Sequence, residues 1–190
     1  HRYLAFLVKL LGVRSVFTFN FDDLIERALL AEDVTFQTFA MEHGGALPYP
    51  RLVRDALTVV KMHGSTHALL LDERLDYPLA YEYKARFRDL VGRHPLLLVA
   101  GFGTDERRLF DLLDTTLAAD PESEVCWLHF EGSTPPVLRQ FAARFAAGGR
   151  GDRVRTAPTA NPGLAFQHLY VALAGRHPAS RVPYPAHVHR

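Results

Sequence analysis

Along this chain, short and densely apolar runs alternate with longer stretches whose apolar positions recur every three or four residues. The first kind of pattern marks buried strands and the second marks amphipathic helices. Residues 3–11 have helical spacing and stop at Gly12, a residue suited to ending a helix. Residues 13–21 read as a strand, and Asp23 can cap a helix to about residue 30, with Glu26 completing a capping-box-like pair. Residues 34–39 form a short strand or an extended loop, and 57–62 make a compact β-branched strand. The spacing then predicts a helix over 81–91. Residues 96–102, the most apolar segment, have the pattern of a central parallel strand covered on both faces.

The second half continues the alternation. Thr104 or Asp105 caps a helix to about residue 119, and 125–130 is a further strand. Thr134 followed by Pro135 gives an N-cap with proline at the first helical position, opening a helix to about residue 147. Residues 154–157 are a last short strand, and Asn161-Pro162 opens the final helix in the same manner. Gly44-Gly45 and two prolines mark 41–50 as a loop, and 67–79 reads as a long irregular stretch. Strand and helix in alternation predict an α/β fold of three layers, a mostly parallel sheet with helices on both faces. One domain over residues 1–175 accounts for the pattern, followed by a proline- and histidine-rich tail over 176–190.

Composition narrows the partners. With 22 basic and 21 acidic residues the formal net charge is +1, so no global field draws the chain to nucleic acid or to a membrane surface. No apolar run approaches the roughly 20 residues that span a bilayer, and no leader peptide is evident, which makes the cytoplasm the expected location. Cys126 is the sole cysteine, set in Val125-Cys126-Trp127-Leu128 and expected to be a small buried hydrophobe. A lone cysteine allows neither an intrachain disulfide nor a cysteine-based zinc ribbon.

Candidate chemistry gathers at the carboxyl ends of three predicted strands, the edge at which open α/β sheets bind ligands. Asn20 and Asp22 lie two apart in a segment expected to be extended, so their amide and carboxylate would face the same way. Such a pair suits a ligand with hydroxyl and carboxamide groups. The plainer reading is that Asp22 only helps to cap the helix, a need that Asp23 can already meet. His63, before Gly64, can act as a general base near neutral pH, although a lone histidine is more often structural. Gly101-Phe102-Gly103-Thr104-Asp105 sets two glycines between a buried strand and a helix start, where backbone amides can approach a ribose or phosphate. Arg107 and Arg108, or Arg150, Arg153 and Arg155, are further candidates for phosphate contact, against the commoner role of solvated surface arginines.

These segments together resemble the sirtuin-like superfamily, and within it the bacterial NAD-hydrolysing branch associated with phage defence. Thr18-Phe19-Asn20-Phe21-Asp22-Asp23-Leu24-Ile25-Glu26 is similar to that family's T-x-N-[YF]-D-x-L-[LI]-E segment, and Lys61-Met62-His63-Gly64-Ser65 to its K-[LM]-H-G-S segment. Leu75-Asp76-Tyr77 resembles the aspartate-tyrosine that follows in many members, and residues 99–105 resemble the G-[YF]-S-x-x-D turn near the adenosine ribose. The resemblance implies a Rossmann-like fold with NAD+ as substrate and no metal. It implies Asn20 and His63 as catalytic residues, with Thr18, Asp22, Gly101, Phe102, Gly103 and Asp105 at the nucleotide. Asn20 would position the nicotinamide ribose or the attacking water, Asp22 would lie near the carboxamide, and His63 would be the base.

Three departures change what is expected. The family's first strand leads into G-A-G-x-S, whose glycines cradle the pyrophosphate, and nothing before Val13 resembles it. The domain is therefore expected to be incomplete at its amino end, or else to be an inactive module used for assembly or regulation. Gly103 replaces the family's usual serine and removes a hydroxyl that would bond ribose. The zinc module of protein-deacylating sirtuins is absent, which argues against a lysine deacylase. The resemblance also implies a homo-oligomer or a partner effector or sensor domain.

Overall fold

The computed structural model describes residues 1–40, 56–62, 81–91, 96–101, 107–132, 134–149 and 151–176. The first element, α1 (Arg2–Leu11), buries Ala5, Phe6, Leu7 and Val8. It ends where Gly12 adopts φ +62°, a left-handed conformation that a side chain would strain. β1 (Ser15–Thr18) follows, then α2 (Leu24–Ala31) and β2 (Phe36–Ala40). β3 (Leu57–Lys61) runs between β1 and β2, parallel to both, with Thr18 opposite Lys61 and Ala40 opposite Lys61 from the other side. Every residue of β3 is buried, as a strand flanked on both edges and covered on both faces requires.

The second half forms another parallel trio. α3 (Tyr81–Val91) leads to β4 (Leu96–Ala100), α4 (Arg107–Ala119), β5 (Glu124–Phe130) and α5 (Pro136–Ala147). A short 3-10 turn (Gly151–Arg153) precedes β6 (Val154–Thr159), and α6 (Pro162–Ala174) closes the described fold. β5 is central, with β4 and β6 on its two sides. The result is a Rossmann-like α/β architecture, the six strands among the described residues divided into two three-stranded parallel sheets.

Helices cover both faces. α1 and α2 pack on the first sheet through Ala5, Val8, Ile25 and Leu29 against Leu57 and Val59. On its opposite face α3 sets Phe87 and Val91 against Val60 and Met62, joined by Leu112 of α4. The Ser15 hydroxyl donates to the Leu90 carbonyl at 3.1 Å, fixing that helix to the strand. α4 and α5 cover one face of the second sheet, where Trp127 stacks on Phe110 with centroids 5.2 Å apart. Fully burying a side chain of this size contributes about 3 kcal/mol, with a further increment from the stacked rings. α6 reaches across to α1, its Tyr170 stacked on Phe6.

Several expectations are corrected here. The strand expected over 13–21 is only Ser15–Thr18, because Thr18 turns the chain: its Oγ1 accepts the Asn20 amide at 3.1 Å. The segment expected to be a central strand covered on both faces is instead β4, paired among the described residues on one side only, with Leu96 57% and Leu98 40% exposed. Leu97 and Val99 face the α4 core, whereas Leu96 and Leu98 share the opposite face with Cys126, which is half-buried rather than buried. Thr134 does not cap α5; Pro135 holds the cap position and Pro136 opens the helix. Asn161 does cap α6, its Oδ1 accepting the Gly163 amide at 2.7 Å. The expected loop over 41–50, the irregular stretch over 67–79, the caps Thr104 and Asp105, and the tail from residue 177 lie outside the described residues.

Candidate functional site

The turn that follows β1 is built by three sets of bonds, each traceable to a side chain or amide next to it. Thr18 is buried at the end of the strand, and its carbonyl accepts the Met62 amide at 2.8 Å, extending the ladder one residue past β3. Phe19 then inserts its ring against the cores of both sheets. Asn20, next along the chain, is exposed. An exposed amide directly after a half-buried aromatic anchor is presented to solvent at the carboxyl ends of β1 and β3.

Asp22 turns back on the helix that follows. Its Oδ1 accepts the Leu24 amide at 3.1 Å, while Asp23 occupies the cap position with no side-chain cap bond. The expected division of labour is thus reversed: Asp22 satisfies the first turn of α2, and Asp23 is the exposed carboxylate. Since the strand stops at Thr18, strand alternation does not govern Asn20 and Asp22. Their relative direction comes from the turn.

The turn is fastened to β3 by a residue that sequence reasoning passed over as part of a motif. The Lys61 side chain is 4% exposed and its ammonium meets three acceptors. Nζ donates to the Asp22 carbonyl at 2.5 Å, to the Phe21 carbonyl at 3.4 Å and to Glu26 Oε1 at 2.8 Å. Glu26, expected to complete a capping box, pairs with this lysine instead. The signal was present in the strand pattern: a lysine between Val60 and Met62 in a fully apolar run has to find a partner when buried.

Other expected site residues divide into placed and unplaced. Gly101 is exposed immediately after β4 with φ +76°, a conformation that glycine adopts without strain and that leaves its backbone open to approach. His63, Phe102, Gly103 and Asp105 lie outside the described residues, as do Asp76 and Tyr77. His63 follows Met62 directly, and Met62 is bonded to the Thr18 carbonyl at the start of the Asn20 turn. Among the described residues Thr18, Asn20, Asp22 and Lys61 are brought together, and Gly101 belongs to the other sheet.

Arg153 is removed from the phosphate candidates. It is buried, donating from Nε to the Ser123 carbonyl and from Nη2 to those of Leu117 and Asp120. Arg155 pairs with Glu124 at 3.1 Å. Among the described residues no cluster of three or more His, Cys, Asp or Glu is placed to hold a metal ion, and no helix is long and apolar enough to cross a membrane.

Comparison with known proteins supplies the family. A model of the SIR2-like domain matches residues 14–146, which takes in the Asn20 turn, β3 with Lys61, and β4 through α4. No curated protein matches the chain.

Proposed function

The chain belongs to the SIR2-like domain family, whose members use NAD+, and from that membership we propose that it hydrolyses NAD+ to nicotinamide and ADP-ribose. The observation that carries this reading is the Asn20 turn: an exposed amide held at the paired ends of β1 and β3, where the Met62 amide bonds the Thr18 carbonyl. In the proposed reaction the C1′–N bond breaks and its electron pair leaves on the nicotinamide nitrogen. The Asn20 amide orients the ribose or the incoming water, whose oxygen bonds to C1′. His63 takes the proton that the water loses. Since the transition state resembles an oxocarbenium ion, most of the work is to hold the sugar and surround it with suitably aimed dipoles.

The residues present fit part of the nucleotide. Asn20 and the open backbone at Gly101 suit the ribose side. A glycine cradle for the pyrophosphate is not found among the described residues. The divided sheet bears on this point, because among the described residues β1 and β4 are each paired on one side, and a further parallel strand could add at the other. This favours a second reading, in which residues 1–190 alone form a silent module and NAD+ cleavage requires a strand and glycine loop from elsewhere. A role in phage defence, and assembly with a second copy or with an effector or sensor domain, follow from the resemblance as part of the same proposal.

An NAD+ cleavage assay on the full-length product, with residues 1–190 alone for comparison, tests both readings. The first reading expects turnover that His63→Ala abolishes. Turnover unchanged by that substitution removes His63 from the reaction. Calorimetry with NAD+ on the shorter chain then separates a binding site from a silent module, which gives no saturable heat.

A further inference from the structure

We infer that Lys61 is a positioning residue: by holding the Phe21 and Asp22 carbonyls it sets the orientation of the Asn20–Asp22 turn, with Glu26 holding the ammonium in place. This rests on the reading above for its catalytic consequence, but its structural claim stands apart from it. All three ammonium hydrogens have acceptors in the single segment 21–26, so one buried cation reaches from the turn to the first turn of α2. Pinning the carbonyls of two successive residues fixes the peptide planes on both sides of the Asp22 Cα, and so the direction in which the Asp22 side chain leaves the backbone; Asn20 sits between this clamp and the Thr18 hydroxyl that accepts its amide. Lys61 stands opposite Thr18 in the parallel register, which ties those planes to the rigid centre of the first sheet.

The energetics point away from a pair kept for stability. Its ions are largely removed from water, the Glu26 side chain being 14% exposed, and Glu26 Oε2 is buried without a hydrogen-bond partner. A buried ion pair seldom repays its desolvation, and replacing one with apolar groups is often neutral or stabilising. An orphaned buried carboxylate oxygen adds to the cost. A salt bridge at this position is explained by what it does to the turn, where a displacement of about 1 Å can cost on the order of a hundredfold in rate.

The test uses the full-length product with the double substitution Lys61→Met and Glu26→Leu, which removes both charges and keeps the volume. Thermal unfolding is expected to stay close to the parent's. Amide hydrogen exchange is expected to accelerate at least tenfold in residues 20–23 and to be unchanged in β3, and kcat for NAD+ to fall by about tenfold or more. Should the double variant fail to fold, Lys61→Arg replaces it, because a planar guanidinium cannot set one nitrogen among all three acceptors. The same local acceleration is expected there. Unchanged exchange in residues 20–23 overturns the inference, and so does accelerated exchange with parental kcat. If the parent itself does not cleave NAD+ while exchange in the variant accelerates, the proposed reaction fails and the positioning of the turn stands.

Discussion

Replacing Arg153 with methionine tests whether its guanidinium serves the fold or a phosphate. The side chain gives three hydrogen bonds to main-chain carbonyls, at 2.9 Å to Ser123, 2.9 Å to Leu117 and 2.6 Å to Asp120. Leu117 lies in the last turn of α4, where unpaired carbonyls and the negative end of the helix dipole favour a cation. Hydrogen bonds to a charged group contribute about 1.5–3 kcal/mol each, and the relief of no longer burying a guanidinium offsets part of the total. Three orphaned carbonyls then leave a net loss of about 3–5 kcal/mol. In a domain of this size 1 kcal/mol corresponds to roughly 2–4 °C, so Tm should fall by roughly 6–20 °C in calorimetry. Arg153 precedes β6 and Ser123 precedes β5, which puts the cluster at the amino edge of the second sheet, opposite the carboxyl edge that carries Gly101. NAD+ turnover per folded molecule should accordingly be unchanged. A several-fold rise in KM with Tm lowered by less than about 2 °C would refute the assignment.

Two smaller perturbations check other parts of the geometry. Asp22→Ala should cost about 1 kcal/mol in denaturant unfolding through loss of the Leu24 cap bond, and Asp23→Ala less than about 0.5 kcal/mol; the opposite order would place the cap on Asp23. Burial raises the Cys126 thiol above its usual 9.0, with Arg155 opposing the rise, so alkylation by iodoacetamide at neutral pH should be slower than for free cysteine. Because the folded state holds this proton more tightly, the parent should lose stability relative to Cys126→Ser as pH climbs past the unfolded thiol's value and through the folded one. A parent that gains stability over that range would reverse the sign.

What could be read from the residues divides by the range of the interaction behind it. The α1 stop at Gly12 and the Asn161 cap of α6 are local, and α3 occupies the residues 81–91 that its spacing predicts. Features that depend on distant partners were not legible. Apolar density over 96–102 suggested a strand enclosed on both sides, but hydrophobicity does not tell a strand flanked on both edges from one flanked on a single edge. Lys61 and Glu26 are 35 positions apart, and no spacing rule links a strand to the first turn of a helix two elements earlier. The capping error came from choosing between adjacent aspartates. Asp22 and Asp23 are equally good caps by type, and Thr18's hydroxyl, by ending the strand early, decides which of them faces the Leu24 amide. The Asn20 motif itself stood out because several sequence requirements coincide there: a buried strand end, an aromatic anchor and an acidic helix start.

The division of the sheet has a consequence for that motif. Asn20 and Lys61 belong to the first sheet and Gly101 to the second, and no strand pair joins the two sheets among the described residues. Their separation is set by side-chain packing. Phe19 after β1 and Leu97 on β4 each pack against both cores, and α3 and α4 bridge them through Phe87, Val91 and Leu112. Backbone ladders resist displacement along their whole length, whereas an apolar joint of this kind depends on how well a few rings and methyl groups fit. Shortening Phe19 or Leu97 therefore acts on the spacing between the Asn20 turn and Gly101 without touching either, while the Lys61 clamp keeps the turn itself in register with β3. Precision within the first half of the site and precision between its halves thus rest on different physical terms, electrostatic in one case and steric in the other.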